Sequence, residues 1–475
     1  MSATLKVILI TFGLAGILLM VGLLLRSKIK VLQKLFLPAS VIGGFLGLLI
    51  IVLLKLIPSL TESVSTYTTV MDALPGILVV PILAASPLGN FKKKSASVGP
   101  KTRKGPGIAM GVFFVMCGMM AVQMVIGLAV QVIMKAMGSP IDFYKVWGFE
   151  LACGFVGGHG TAASVGAIYS GIASIADYAS AGKDVATTFA TFGLVGGMLL
   201  GIVFINIAAR KGKTAVMKEP TKLEGTQVTG LVKNIAEQES LGRETTKNFT
   251  IETITVHLSI ITGVIAISYG LLALVKKIPV VGSLLGSLPV WSFAMLIMMG
   301  VNKLLEVFHL EWLVDKKVSL KIAGFLTDFA VVCAIASMNL STIATYMLPI
   351  IICSVLGFVV TFFYIFGFSK HITKGEQDFE HGIIAWGTST GVLMTGLVLL
   401  KVCDPNYETK ALSNFSAGFA VMSVFQTLIL GVIMPVVIAK GTNVVILGVC
   451  AILAVVFTAG ALIVGFMRKP AENAR

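Results

Sequence analysis

Charged residues are scarce in this 475-residue chain, where Asp, Glu, Lys and Arg make up 12% and hydrophobic residues 56%. Soluble domains carry about 25% charged residues. The scarcity of charge excludes a soluble core, and the mean hydropathy of +0.96 agrees. The composition predicts an all-α integral membrane protein, and the length allows roughly ten to twelve crossings at about 20 residues each.

Histidine and cysteine are also rare. The five histidines are scattered, and none of the six cysteines forms a C-x-x-C pair. We therefore expect buried thiols, no transition-metal site and no catalytic residue. The formal charge of +15 does not indicate nucleic-acid binding, because no folded basic module is visible and Lys and Arg collect in the cytoplasmic loops of membrane proteins.

Long apolar runs dominate the rest of the chain. Eleven candidate transmembrane helices are predicted at 5–25, 35–57, 69–87, 106–134, 184–206, 251–275, 288–306, 319–340, 342–367, 413–438 and 443–466. No signal-peptide cleavage site follows the first run, and basic residues follow it at once. Basic loops alternate with weakly charged ones, which places the N-terminus outside and both the linker 207–250 and the C-terminus in the cytoplasm. Lys276 and Lys277 are exceptions to this alternation.

Two segments outside these helices are apolar but interrupted by glycines and hydroxyls. They are "GFVGGHGTAASVGAIY" (154–169) and "IIAWGTSTGVLMTG" (383–396). If 146–175 and 380–400 fold as hairpins, each arm of about 12 residues reaches about 18 Å, roughly half of a membrane. The loop charges make the first hairpin open outside and the second inside. This predicts two inverted five-helix repeats, 1–206 and 251–438, followed by an extra C-terminal helix at 443–466.

The hairpin tips are the predicted substrate site. Glycines allow a tight backbone turn, and the free N–H groups at the start of a half-helix favour a carboxylate. The candidates are Gly157, Gly158, His159, Gly160, Thr161, Gly387, Thr388, Ser389, Thr390 and Gly391. His159 is equally suited to a hydrogen bond within the hairpin. The Gly387–Gly391 stretch also matches the G-x-S-x-G hydrolase pattern, but no histidine follows it.

Polar residues inside the apolar runs are candidates for a sodium site. Asp328 lies near the middle of its predicted helix, where a carboxylate is costly and by default functional. Ser164, Gln123 and Asn302 complete the set, although Gln123 and Asn302 also suit interhelical hydrogen bonds.

The order of these motifs resembles the glutamate:sodium symporter family of bacterial secondary transporters. "GGHGTAAS" (157–164) followed by "ATFGLVGGMLLG" (190–201) carries the likeness, together with "LPASVIGG" (37–44) and the glutamine of "VQMVIG" (122–127). The resemblance implies Na⁺-coupled uptake of an acidic amino acid, and a homodimer in which a transport domain moves against a fixed scaffold. The tip "WGTSTG" departs from the Gly-Ala-Thr-Pro-Thr-like pattern expected there, which leaves the substrate open.

The sequence thus favours alternating-access symport of Na⁺ with a small carboxylate, L-glutamate first, in a bacterial plasma membrane, with Na⁺ as coupling ion and no cofactor. A dicarboxylate or 2-hydroxycarboxylate symporter, coupled to Na⁺ or H⁺, is the alternative. A channel would need a continuous polar lining, and a membrane-embedded enzyme a cluster of His, Asp, Glu or Cys. The sequence shows neither.

Overall fold

The computed structural model describes residues 3–468 apart from 35–36, 86, 90, 92–106, 217–230, 233, 236–237, 239, 248, 279–289 and 405–407. Within these residues all regular structure is helical. The helices are α1 Ala3–Lys28, α2 Lys30–Lys34, α3 Ala39–Lys55, α4 Thr61–Ala85, α5 Ile108–Ala136, α6 Glu150–Phe155, α7 Gly158–Ser170 and α8 Ala179–Arg210. They continue as α9 Thr253–Lys277, α10 Val290–Val307, α11 Lys316–Ala336, α12 Leu340–Thr373, α13 Asp378–Cys403, α14 Ala411–Leu428, α15 Met434–Lys440 and α16 Asn443–Met467.

The apolar runs form long helices because a helix satisfies its own backbone hydrogen bonds where no water is present. In the described part of the chain, nine helices are long and apolar enough to cross a membrane. A helix lies on each of the eleven predicted segments. Two of these helices are not among the nine: α3, which is shorter with 17 residues, and α10. The basic loop at 88–105 falls largely outside the described residues.

One predicted boundary matters for function. The helix expected at 184–206 begins at Ala179 and ends at Arg210. Lys183, expected before the helix, and Asp184, expected as its first residue, are therefore both inside α8 and almost fully buried. The helix can hold these charges because Lys183 pairs both with Asp184 and with Asp72 of α4.

The helices pack as two bundles. The first consists of α1–α4 and α9–α11, and the second of α5–α8 and α12–α16. Small residues bring neighbouring helices close, as where Gly43 of α3 lies against the Leu18 backbone of α1. Each half of the chain thus gives its first helices to the first bundle and its later ones to the second.

The bundles meet mainly where α4 and α11 contact α7 and α8. The C-terminal helix α16 packs along α5 in the second bundle. Parts of 207–250 are described: the Thr245 and Thr246 N–H groups donate to Thr253 Oγ1 of α9, at 3.0 and 3.3 Å.

Candidate functional site: two chain reversals that meet

The chain reverses between α6 and α7. At one end Glu150 opens α6 and accepts a 2.6 Å hydrogen bond from the Tyr169 hydroxyl near the end of α7. At the other end Gly158 adopts φ +63°, a conformation that only glycine reaches without strain. α7 starts there, and no side chain caps its N-terminus.

Glu150 fixes the open end of this helix pair. Its carboxylate is fully buried and accepts from the Tyr144 hydroxyl at 2.6 Å and the Gly148 N–H at 2.7 Å, besides Tyr169. Three donors thus satisfy the two oxygens of this carboxyl group. They hold α6, α7 and the preceding loop together.

The second reversal lies inside α13, where Gly391 and Val392 have non-helical backbone angles. A Cβ on Gly387 would lie 2.7 Å from the Gly396 Cα, so the two arms run side by side without room for a side chain. The reversal is therefore at 391–392, at the end of the predicted tip 387–391. Val392 has φ +78°, which is strained for a β-branched residue.

The two reversals touch each other. A Cβ added to Gly158 would overlap the Val392 Cγ1 atom. The glycine of one helix pair and the strained valine of the other thus form a direct contact, in which both residues adopt positive φ.

The other residues predicted at the first tip surround this contact. His159 Nε2 lies 3.1 Å from Thr191 Oγ1 of α8. Gly160 faces Thr327 of α11. Ser164 donates to the Thr161 carbonyl at 2.6 Å, one turn back within α7. The His159 imidazole therefore bonds to α8, outside the predicted hairpin 146–175.

The hydroxyls predicted at the second tip are fully buried and bonded within the protein. Thr388 donates to the Ile384 carbonyl at 2.8 Å and Thr390 to the Trp386 carbonyl at 3.0 Å. The Ser389 hydroxyl points to the Met116 sulfur at 3.5 Å. In this conformation the three hydroxyls support the arm and do not present a free donor to a ligand.

Of the predicted sodium ligands, the structure brings Gln123 to the second tip. Its Nε2 donates to the Ser389 carbonyl at 2.9 Å and to Thr361 Oγ1 at 3.2 Å. Its Oε1 is buried and has no hydrogen-bond partner among the described residues, so an acceptor oxygen remains beside the second tip.

Asn302 and Asp328 lie elsewhere. The Asn302 side chain bonds to the Pro87 carbonyl at 2.6 Å and the Gly89 N–H at 3.0 Å, and so closes the end of α4. Asp328 is exposed on α11, with Ser40 of α3 as its hydrogen-bond partner. The four predicted ligands therefore do not converge on one point in this conformation.

Sequence reasoning missed the charged group at the interface between the bundles. Lys183 pairs with Asp72 and lies 3.6 Å from Asp184. The Asp184 Oδ2 atom accepts from the Asn339 N–H at 3.0 Å. Asp72 is only the fourth residue of the predicted helix 69–87, so the criterion that selected Asp328, a carboxylate near the middle of a helix, did not select it.

A sequence model of the sodium/glutamate symporter family matches residues 5–391. The chain belongs to the sodium/glutamate symporter family. The match confirms the resemblance drawn from the Gly-His-Gly-Thr stretch, and it ends at Gly391, one residue before the strained Val392. A search of curated proteins finds no match to this chain. The family consists of membrane transporters with Na⁺ as coupling ion.

Gln123 provides a first test of the second tip. We expect Gln123→Leu to lower the free energy of unfolding by about 1–3 kcal/mol, because the Ser389 carbonyl loses its buried donor. The measurement is a thermal-unfolding midpoint in detergent. Gln33→Leu is the control, because the Gln33 amide bonds to the Ser27 carbonyl far from both tips. An unchanged midpoint for Gln123→Leu would contradict the role of this side chain in holding the tip.

Proposed function

We propose that the protein carries a small carboxylate, with L-glutamate favoured, across the membrane together with Na⁺ by alternating access. The observation that carries the proposal is the contact of Gly158 with Val392 in a member of this family. Two reversed helix pairs that meet at their tips are the arrangement in which transporters offer broken backbone to a ligand near the bilayer midplane.

We propose further that both helix pairs are re-entrant hairpins, the first opening outside and the second opening to the cytoplasm. The antiparallel arms of both pairs support this, as does the order shared by the two halves of the chain: the first helices of each half lie in the first bundle and its later helices in the second. The second bundle would be the moving transport domain and the first the scaffold. A homodimer in a bacterial plasma membrane, with the N-terminus outside, completes the proposal.

In this mechanism the N–H groups at the uncapped start of α7, from Gly158 to Thr161, hold the substrate carboxylate. Free N–H groups and the positive end of the helix dipole favour an anion there. The Gly158–Val392 contact must open to admit the ligand, and its reclosure would separate the ligand from water.

Na⁺ would bind oxygen ligands close to the tips, since hard cations prefer oxygen. One candidate ligand is Gln123 Oε1, which lies beside the second tip and has no partner among the described residues. The backbone carbonyls at the two chain reversals are the others. Asp328 is the candidate carboxylate, because its neighbour Thr327 faces Gly160, and a carboxylate inside an apolar helix, here bonded to Ser40, is by default a functional candidate. Ion binding that stabilises the substrate-bound state couples the two fluxes.

Uptake into proteoliposomes tests the function. We expect an inward Na⁺ gradient to drive accumulation of labelled L-glutamate, and replacement of Na⁺ by choline to abolish it. An excess of unlabelled glutarate or 2-hydroxyglutarate reports whether the ammonium group of glutamate is needed for recognition. Absence of Na⁺-driven uptake of glutamate and of either dicarboxylate would overturn the proposal.

Asp328→Asn tests the ion site separately. We expect the Na⁺ concentration for half-maximal uptake to rise by about tenfold, as for loss of roughly 1.4 kcal/mol of binding. Asp177→Asn is the control, because Asp177 is also exposed but lies in the turn before α8. An unchanged Na⁺ dependence would remove Asp328 from the ion site.

A further inference from the structure

A cavity of about 450 Å³ lies between the two bundles, and we call it the interface cavity. Its walls come from α4, α9 and α10 of the first bundle and from α7 and α8 of the second. This volume is in the range of small-molecule sites in proteins. Its charged lining residues are Asp72, Lys183 and Lys276, so two cations and one anion face the space.

Lys183 is the buried charge of this cavity. Its side chain is 3% exposed, whereas that of its partner Asp72 is 38% exposed. The ammonium also donates to Ser337 Oγ at 3.1 Å and lies 3.6 Å from Asp184 Oδ1. A buried ammonium with these partners is stable, but one that loses an anionic partner leaves a costly uncompensated charge.

The partners of Lys183 belong to different bundles. Asp184 is its neighbour on α8, so it travels with Lys183 in any rigid movement of the second bundle. Asp72 lies on α4 of the first bundle. A movement of the second bundle against the first therefore separates Lys183 from Asp72 and keeps Asp184 in place.

We propose that Lys183 is a carboxylate-binding residue of the interface cavity, which Asp72 occupies in this conformation and which the substrate carboxylate takes over when the bundles move. This inference rests on the proposed function and adds a substrate contact to it. The substrate carboxylate then replaces the negative charge of Asp72 beside Lys183. The free-energy cost of moving the second bundle is therefore lower with substrate bound than without it.

The positive lining supports a carboxylate as the ligand. Lys276 on α9 faces the same cavity, although its position breaks the alternation of basic and weakly charged loops. A second cation in the cavity draws anions toward Lys183. The interface cavity follows α7 from Ser170 to Ala163, about 10 Å by helical rise, toward the tip at Gly158.

Single and double substitutions separate this role from a purely structural ion pair. The full-length protein in proteoliposomes is assayed for the KM of Na⁺-driven L-glutamate uptake. We expect Lys183→Gln to raise KM by about tenfold or more, the loss of one charge-assisted hydrogen bond. We expect Asp72→Asn to lower KM by about threefold, because the competing carboxylate is removed.

The double variant Lys183→Gln with Asp72→Asn removes both charges of the pair that joins the bundles, and Asp184 keeps its hydrogen bond from the Asn339 N–H. We expect it to retain the raised KM of Lys183→Gln. The control is Lys145→Gln, a half-buried lysine outside the cavity whose ammonium donates to the Ile438 carbonyl at 2.7 Å. Its KM should stay at the wild-type value.

Two results would overturn the inference. One is a wild-type KM in the double variant. If the ion pair were purely structural, removing both charges would leave no unpaired partner, and the KM would return to its wild-type value. The other is a KM that rises in Asp72→Asn as it does in Lys183→Gln. If the wild-type protein accumulates glutamate in a Na⁺-dependent way while either result is obtained, the inference fails and the proposed function stands.

Discussion

Replacing Gly158 by alanine should reduce Na⁺-driven uptake by at least about tenfold. Two costs add. An L-residue at φ +63° is strained by roughly 1–2 kcal/mol, and the new Cβ would overlap Val392 Cγ1. The tips would separate or α7 would shift, and 1.4 kcal/mol already corresponds to tenfold.

Gly160→Ala is the matched control for this prediction. Gly160 is two residues further along the same stretch, and a Cβ there would make an ordinary 3.6 Å contact with Thr327 Cγ2. Its φ is not positive. We expect near wild-type uptake from Gly160→Ala. The initial rate of Na⁺-driven uptake and a titration of the substrate-binding site are measured for both variants. Equal rates for the two variants would show that the tip contact is not needed.

Val392→Gly provides the complementary test. Glycine accepts φ +78° without the strain of about 1–3 kcal/mol that a non-glycine residue bears in such a region, and it removes the methyl group that Gly158→Ala would meet. The double variant Gly158→Ala with Val392→Gly should therefore recover part of the lost uptake. No recovery would mean that the strain at residue 158, and not the contact, sets the loss.

Replacing Glu150 by alanine should destabilise the protein by at least about 3 kcal/mol. The substitution leaves two tyrosine hydroxyls and one backbone N–H without an acceptor in a buried place, and each unsatisfied group costs about 1–3 kcal/mol. The arms of the first helix pair would also lose their link at the open end. Thermal unfolding in detergent measures the change.

Graded variants test the two tyrosine bonds separately. Tyr144→Phe and Tyr169→Phe each remove one donor and should cost about 1 kcal/mol. Glu62→Gln, at an exposed glutamate in the first turn of α4, should leave the midpoint unchanged. A Glu150→Ala protein with the stability of Glu62→Gln would show that the carboxylate does not hold the helix pair.

The sequence located both interruptions of the apolar pattern because glycine and hydroxyl residues stand out in a hydrophobic chain. It placed the first at 157–161, where the structure has Gly158 with positive φ. It placed the second at 387–391, whereas the chain turns at 391–392. Val392 gave no signal because a valine is ordinary in an apolar run, and its positive φ and its contact with Gly158 exist only in the folded protein.

The polar residues divide in the same way. Gln123 was identified from its position in an apolar helix, and it does bond to the second tip. Asn302 met the same criterion, but its amide closes the end of α4. Composition alone cannot distinguish the two, because the partner of a polar side chain depends on which helix packs beside it.

By itself the sequence determined that this is a helical membrane protein of a symporter family with two broken segments. Those properties follow from the chemistry of each residue and from its neighbours along the chain. Only the tertiary structure decided that the two breaks meet and that Lys183 faces Asp72 across the bundle interface. Both contacts join residues more than one hundred positions apart, and helix packing, not local sequence, brings such residues together.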